Sequence, residues 1–128
     1  TEDITSMLPA ISLANHEQHR PKRLRLRFQG EEVVLDDQRT AVTIGRAEDN
    51  DLCVKGNLIS RLHARIEASK TRFVLVDQST NGTFVHDAEG QEQFVRRDSL
   101  PITGEGLIGL GRAPERDSST TIRFICED

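Results

Sequence analysis

Three short polar runs hold the chemistry in this sequence. They are Gly45-Arg46, Ser60-Arg61-Leu62-His63 and Ser79-Thr80-Asn81-Gly82-Thr83. Together they offer two guanidinium groups, hydroxyls and an amide, and no carboxylate lies within them. Such a donor set suits a dianion: Arg supplies charge and a forked pair of donors, and hydroxyls serve the remaining oxygens. Taken one at a time, each run also reads as ordinary turn chemistry, because Ser, Thr, Asn and Gly are what turns are made of. The runs become a site only if the chain brings them together.

The elements around them are short strands. Leu24, Leu26 and Phe28 alternate with Arg23, Arg25 and Arg27, which predicts a half-buried strand. Gln29-Gly30 then turns the chain into a partner strand over 31–35. Further strands are expected at 41–44, 52–54, 62–68, 83–85, 93–95, 100–102, 106–109 and 121–126. Phe73-Val74-Leu75-Val76 is continuously apolar, and the expectation is a central strand covered on both faces. About ten or eleven short strands with turn signals, and no sustained helical period after Lys22, predict an all-β sandwich in two sheets. Loops at one end of a sandwich converge, and each polar run stands at a strand end. The run 87–98 is long for a plain hairpin and reads as a distinct loop, and 110–119 as another.

Composition removes several alternatives. Among 128 residues the net charge is -4, and there is no Trp or Tyr. An acidic, aromatic-poor chain suits neither general DNA binding nor base stacking, so no nucleic-acid partner is expected. No apolar run is long enough to span a bilayer, and no membrane partner is expected. Arg outnumbers Lys 14 to 3, which fits phosphate recognition, although on composition alone coding bias accounts for it better. Cys53 and Cys126 make neither a disulfide framework nor a paired metal motif, and both are expected as reduced, buried thiols. Gly104–Gly109 satisfies the spacing of a dinucleotide fingerprint but has no helix after it, so it reads as turn chemistry. His16-Glu17-Gln18-His19 is one residue short of a zinc-protease motif, and no metal or other cofactor is expected. The basic residues of 20–27 read as a solvated strand face.

The order and spacing of the three polar runs resemble the forkhead-associated (FHA) domain. The stretches TIGRAEDNDLCV and ISRLHARIEASKTRFVLVDQSTNGTFV are similar to that family almost throughout, and the resemblance covers roughly Arg23 to Glu127. It implies an eleven-stranded β-sandwich that binds phosphothreonine in a peptide or protein and is no enzyme. Carried over by motif, Arg46 pairs with the phosphate and Ser60 donates its hydroxyl to it. Arg61 helps hold the phosphate or the peptide backbone, Thr80 lines the pocket, and Asn81 bonds the peptide main chain. Gly45 and Gly82 permit the loop conformations, and His63 supports the site between the loops. The loop before Ser60, with Asn57, Leu58 and Ile59, is implied to read the third residue after the phosphothreonine. Its lack of charge leads us to expect an aliphatic residue there.

The expected organisation is an N-terminal arm or linker over 1–22 and the FHA-type domain over 23–128. The Thr1 start suggests a piece of a longer cytoplasmic protein. Thr1 and Thr5 each have an aliphatic residue three positions on, so a phosphorylated tail would be able to occupy its own domain or a neighbour's. Two other functions stay open on the residues alone. One is a phosphate-independent interaction or oligomerisation domain, and the other a small phosphate-ester hydrolase using Cys53 or a metal.

Overall fold

The computed structural model describes residues 20–128. Eleven strands form two sheets and no helix occurs among the described residues. The strands are β1 (Arg23–Phe28), β2 (Glu31–Leu35), β3 (Ala41–Gly45), β4 (Leu52–Cys53), β5 (Ala64–Ala68), β6 (Phe73–Asp77), β7 (Thr83–Asp87), β8 (Glu92–Val95), β9 (Ser99–Ile102), β10 (Glu105–Leu110) and β11 (Ile122–Glu127). One sheet runs β2-β1-β11-β10-β7-β8 and the other β4-β3-β5-β6-β9. Every pairing is antiparallel except β3 with β4.

The period-two reading of β1 places Leu24, Leu26 and Phe28 in the core. They meet Ile108, Ile122 and Phe124 of their own sheet and Val42, Ile44, Ile66, Phe73 and Leu75 of the other in one cluster. Each such side chain contributes roughly 1.5–3 kcal/mol when fully buried. The outward arginines of β1 do not stand free. Arg23 and Arg25 bond Glu127, and Arg25 and Arg27 bond Glu32. Bonds from Arg25 first, then from its neighbours, hold both carboxyls below the usual glutamate range.

Three expectations need correction. Strand β6 alternates rather than being covered on both faces: Phe73, Leu75 and Asp77 are buried, whereas Val74 and Val76 are only half-buried. The outward valines pair across the sheet with Glu67 and Arg65, long side chains whose stems shelter them without enclosing them. The run 87–98 is no free loop. Asp87 caps a tight turn by accepting from the backbone of Glu89 and Gln91, and the chain then forms β8. Cys53 and Cys126 are partly rather than fully buried. Cys53 lies between inward-facing Leu52 and Val54, so its own side chain faces the other way. Burial pushes the Cys126 thiol up to about 11. The histidines and threonines singled out in 1–19 lie outside the described residues.

Strand register fixes where the polar runs fall. Ile44 pairs with Ala64, Ala64 with Asp77, and Thr83 with Leu110. The segments 46–51, 54–63, 78–82 and 111–121 therefore leave the sandwich at the same end.

Candidate functional site

The first loop begins where β3 meets the chain after β4. A Cβ on Gly45 would lie 2.1 Å from the Arg61 carbonyl oxygen, so only glycine allows this approach. The approach lets Arg46 N–H donate to Ser60 O at 2.9 Å and Ala47 N–H to Arg61 O at 3.2 Å. Asn50 reinforces it by donating to the carbonyls of Ala47 and Arg61. At the loop's end Asp51 accepts from Thr43 N–H, and that bond, more than the guanidinium of Arg39, holds its carboxyl below the usual range. Arg46 uses its Nε to donate to Ile59 O at 3.0 Å. Among the described residues, neither Arg46 nor Arg61 is paired with a carboxylate, and both are exposed. The Lys55 ammonium donates to Arg46 O at 3.1 Å and is paired with Glu48 at 3.7 Å.

The second loop is tied to the third by His63, which is fully buried. Its Nδ1 accepts from Ser60 N–H at 3.1 Å. The ring proton is thereby assigned to Nε2, which donates to Gly82 O at 2.8 Å. Burial pushes the His63 pKa below the ordinary histidine value, and the Gly82 carbonyl and the Asp77 carboxylate oppose that only in part. Gly82 O also accepts from Gly111 N–H at 2.8 Å, which draws in the fourth loop.

The third loop stands on Asp77. This carboxylate is buried and accepts from Ser79 N–H, Ser79 O–H, Thr83 O–H and Arg97 N–H at 2.5–3.0 Å. Ser79 Oγ in turn accepts from Gly82 N–H at 2.7 Å. The chain between them is thus wound into a tight turn that lifts Thr80 and Asn81 into solvent. Gly82 completes the turn at φ +88°, a left-handed conformation that glycine adopts without strain. Thr80 N–H donates to Ser60 Oγ at 3.2 Å and Asn81 Nδ2 to Leu58 O at 3.1 Å, so the second and third loops touch directly.

The fold therefore gathers Arg46, Ser60, Thr80 and Asn81 on one ridge, with the exposed Arg61 next to Ser60 in the same loop. The Ser60 hydroxyl accepts from Thr80, which leaves its proton to donate outward. A cavity of about 600 Å³ lies beside Arg116 and Arg123, one of about 510 Å³ lies beneath the third loop beside Asp77 and Arg97, and one of about 380 Å³ lies between Arg61 and Asn50. The ridge is open, a shape suited to an extended chain rather than an enclosed small molecule. One expectation fails here. Ile59 is a core residue packed under Gly56, and its side chain cannot meet a ligand, while Asn57 and Leu58 are exposed. Asp77, Asn50 and Arg97, which are not among the expected site residues, position the loops.

Residues 42–102 match the family model described as the FHA domain. No curated protein matches the chain by sequence. Solved structures do match in fold. The first FHA domain of Mycobacterium tuberculosis Rv1747 is 23% identical with a TM-score of 0.64, over 84% of this chain and 99% of that one. Mycobacterium tuberculosis EmbR, in complex with a low-affinity phosphopeptide, is 22% identical with a TM-score of 0.62, over 91% of this chain and 28% of that one. The MEK1 FHA domain, in complex with a phosphothreonine peptide of HOP1, is 21% identical with a TM-score of 0.60, over 82% of this chain and 97% of that one. Over residues 42–102 this chain is similar to the FHA domain, a family of binding modules, and it shares the fold of solved FHA domains. No helix among the described residues is long and apolar enough to cross a membrane.

Proposed function

We propose that this domain is a phosphothreonine-dependent peptide-binding module without catalytic activity, recruiting a phosphorylated partner or tethering its parent protein in signalling. The observation that carries the reading is the single ridge of Arg46, Ser60, Thr80 and Asn81, drawn from three strand ends, with Arg61 next to Ser60 and neither arginine neutralised by a described carboxylate. A phosphothreonine brings about -1.5 to -2 charges at pH 7. Arg46 and Arg61 supply the charge-assisted bonds, which are the strong ones. Ser60 donates its remaining proton to a phosphate oxygen. Thr80 flanks the phosphothreonine, and Asn81 exchanges the Leu58 carbonyl for the peptide main chain. Threonine is preferred over serine by its methyl, a term of about 1–3 kcal/mol, or 10–200-fold.

Asn57 and Leu58 carry the reading of the third residue after the phosphothreonine, and an aliphatic residue is favoured there. A peptide library that selects Asp at that position would remove this part. The chain's partner is thus a phosphothreonine protein, and a phosphorylated tail of its own or a neighbouring chain is one source. Titration of matched phosphorylated and unmodified peptides, with Arg46→Ala alongside, tests the reading. Binding indifferent to phosphate and to Arg46 would replace it with a phosphate-independent interaction domain.

A further inference from the structure

Three large apolar side chains are exposed among the described residues: Leu58 at 36%, Leu62 at 43% and Phe94 at 51%. Two of them flank the loop that carries Asn81. Leu58 offers its carbonyl to Asn81 Nδ2. A Cβ on Gly111 would stand 2.7 Å from Leu58 Cβ, and Gly111 N–H donates to Gly82 O. A Cβ on Gly82 would stand 2.4 Å from the ring of Phe94. Leu58, Gly111, Gly82 and Phe94 are therefore consecutive neighbours, and the two middle members have no side chain to rise between the outer two. Phe84 widens the far end, its ring centroid 4.7 Å from that of Phe94 across the β7–β8 pair.

The placement of Phe94 is unusual for its strand. β8 is the edge of the six-stranded sheet, where natural proteins set charge, proline or a bulge against unwanted pairing. A half-exposed aromatic pair there calls for an apolar partner. Continuity decides which partner. The strip begins at Leu58, beside the donors that hold phosphate and peptide main chain, and leads directly away from them. An extended peptide advances about 3.3–3.6 Å per residue, so a few residues carry it from Leu58 to Phe94.

We propose that Phe94, backed by Phe84, is a specificity surface for an apolar side chain of the phosphopeptide, lying C-terminal to the residue that meets Leu58. This rests on the phosphothreonine reading of the ridge. An aromatic ring offers much contact area at little entropic cost. Half of a phenylalanine's burial is at stake, which corresponds to about a five- to ten-fold gain in affinity.

The test uses fluorescence-labelled phosphothreonine peptides with an aliphatic residue at the third position, followed by either a Leu/Phe-bearing or a Ser/Gly extension. Wild type, Phe94→Ser, Phe94→Leu and Arg46→Ala are titrated with both, and thermal melts confirm folding. The apolar extension is expected to bind wild type five- to ten-fold more tightly. Phe94→Ser removes that gain and leaves the Ser/Gly peptide unchanged, while Phe94→Leu keeps most of it. No gain in wild type, or a gain that survives Phe94→Ser, overturns the proposal. So does self-association abolished by Phe94→Ser without any effect on peptide, which would make the strip a contact between copies. If Arg46→Ala binds phosphopeptide as wild type does, the underlying reading falls instead.

Discussion

Asp77→Ala is the perturbation that most sharply separates a built loop from a merely polar one. The carboxylate touches no proposed ligand, yet it holds the turn from which Thr80 and Asn81 project. Removing it strands three buried donors: Ser79 N–H, Ser79 O–H and Thr83 O–H. The fourth, Arg97 N–H, is nearer solvent and recovers water. An unsatisfied buried donor costs about 1–3 kcal/mol, and hydroxyls regain part of this by rotating, so the expected loss is about 3–5 kcal/mol. In a domain of this size that lowers Tm on the order of 15 °C. Asp77→Asn keeps one acceptor oxygen and the volume, and Thr83 O–H turns to accept from the new amide, so its cost is about 1–2 kcal/mol. Urea denaturation reads the stability, and phosphopeptide titration under folding conditions reads the site. Affinity should fall at least ten-fold in Asp77→Ala, because Thr80 and Asn81 lose their fixed positions. A loss below about 1 kcal/mol with unchanged affinity would refute the argument that this carboxylate organises the loop.

Two further outcomes follow from the same geometry. Gly45→Ala must push Arg61 O away, so it breaks the Ala47–Arg61 backbone bond and destabilises by about 1–3 kcal/mol, with weaker phosphopeptide binding; an unaltered melt and affinity would contradict this. His63 has a lowered pKa when folded, so the unfolded chain binds the extra proton first. Stability is then full above about pH 6.5 and declines as pH falls from there towards the folded pKa. His63→Asn should flatten that pH slope, measured as the urea midpoint between pH 7 and 5, and identical slopes in the two proteins would exclude His63 as the source.

Much of the fold was legible because one face of most strands is polar. The Arg23–Phe28 alternation fixed its strand, and the Gly and Asn-Gly signals separated the others. Val74 and Val76 misled because β-branched residues suit both a buried face and a sheltered outer one, and only the neighbouring Arg65 and Glu67 distinguish the two. Cys53 misled in the opposite sense, since an apolar neighbourhood in sequence says nothing of a side chain that points away from it. At the candidate site, Arg46, Ser60, Arg61, Thr80 and Asn81 stood out as strand-end donors. Asp77 did not, because a carboxylate beneath an anion-binding ridge runs against the charge pattern that marks the site. Its role appears only when its four donors are counted. Ile59 was misplaced because a loop position looks exposed until Gly56 is seen to let its side chain fold inward. Phe94 was invisible as a surface residue, since its contact with Gly82 joins β8 to the turn before β7, and the sequence does not give the register that brings them together.

The most direct test of the central claim is a titration of matched peptides carrying phosphothreonine, phosphoserine or unmodified threonine, against wild type and Arg46→Ala. Tight binding of the phosphothreonine peptide alone is expected, with phosphoserine weaker by about 10–200-fold, no detectable binding of threonine, and loss of phosphopeptide binding in Arg46→Ala. Equal affinities for the phosphorylated and unmodified peptides, unaffected by Arg46→Ala, would contradict the account.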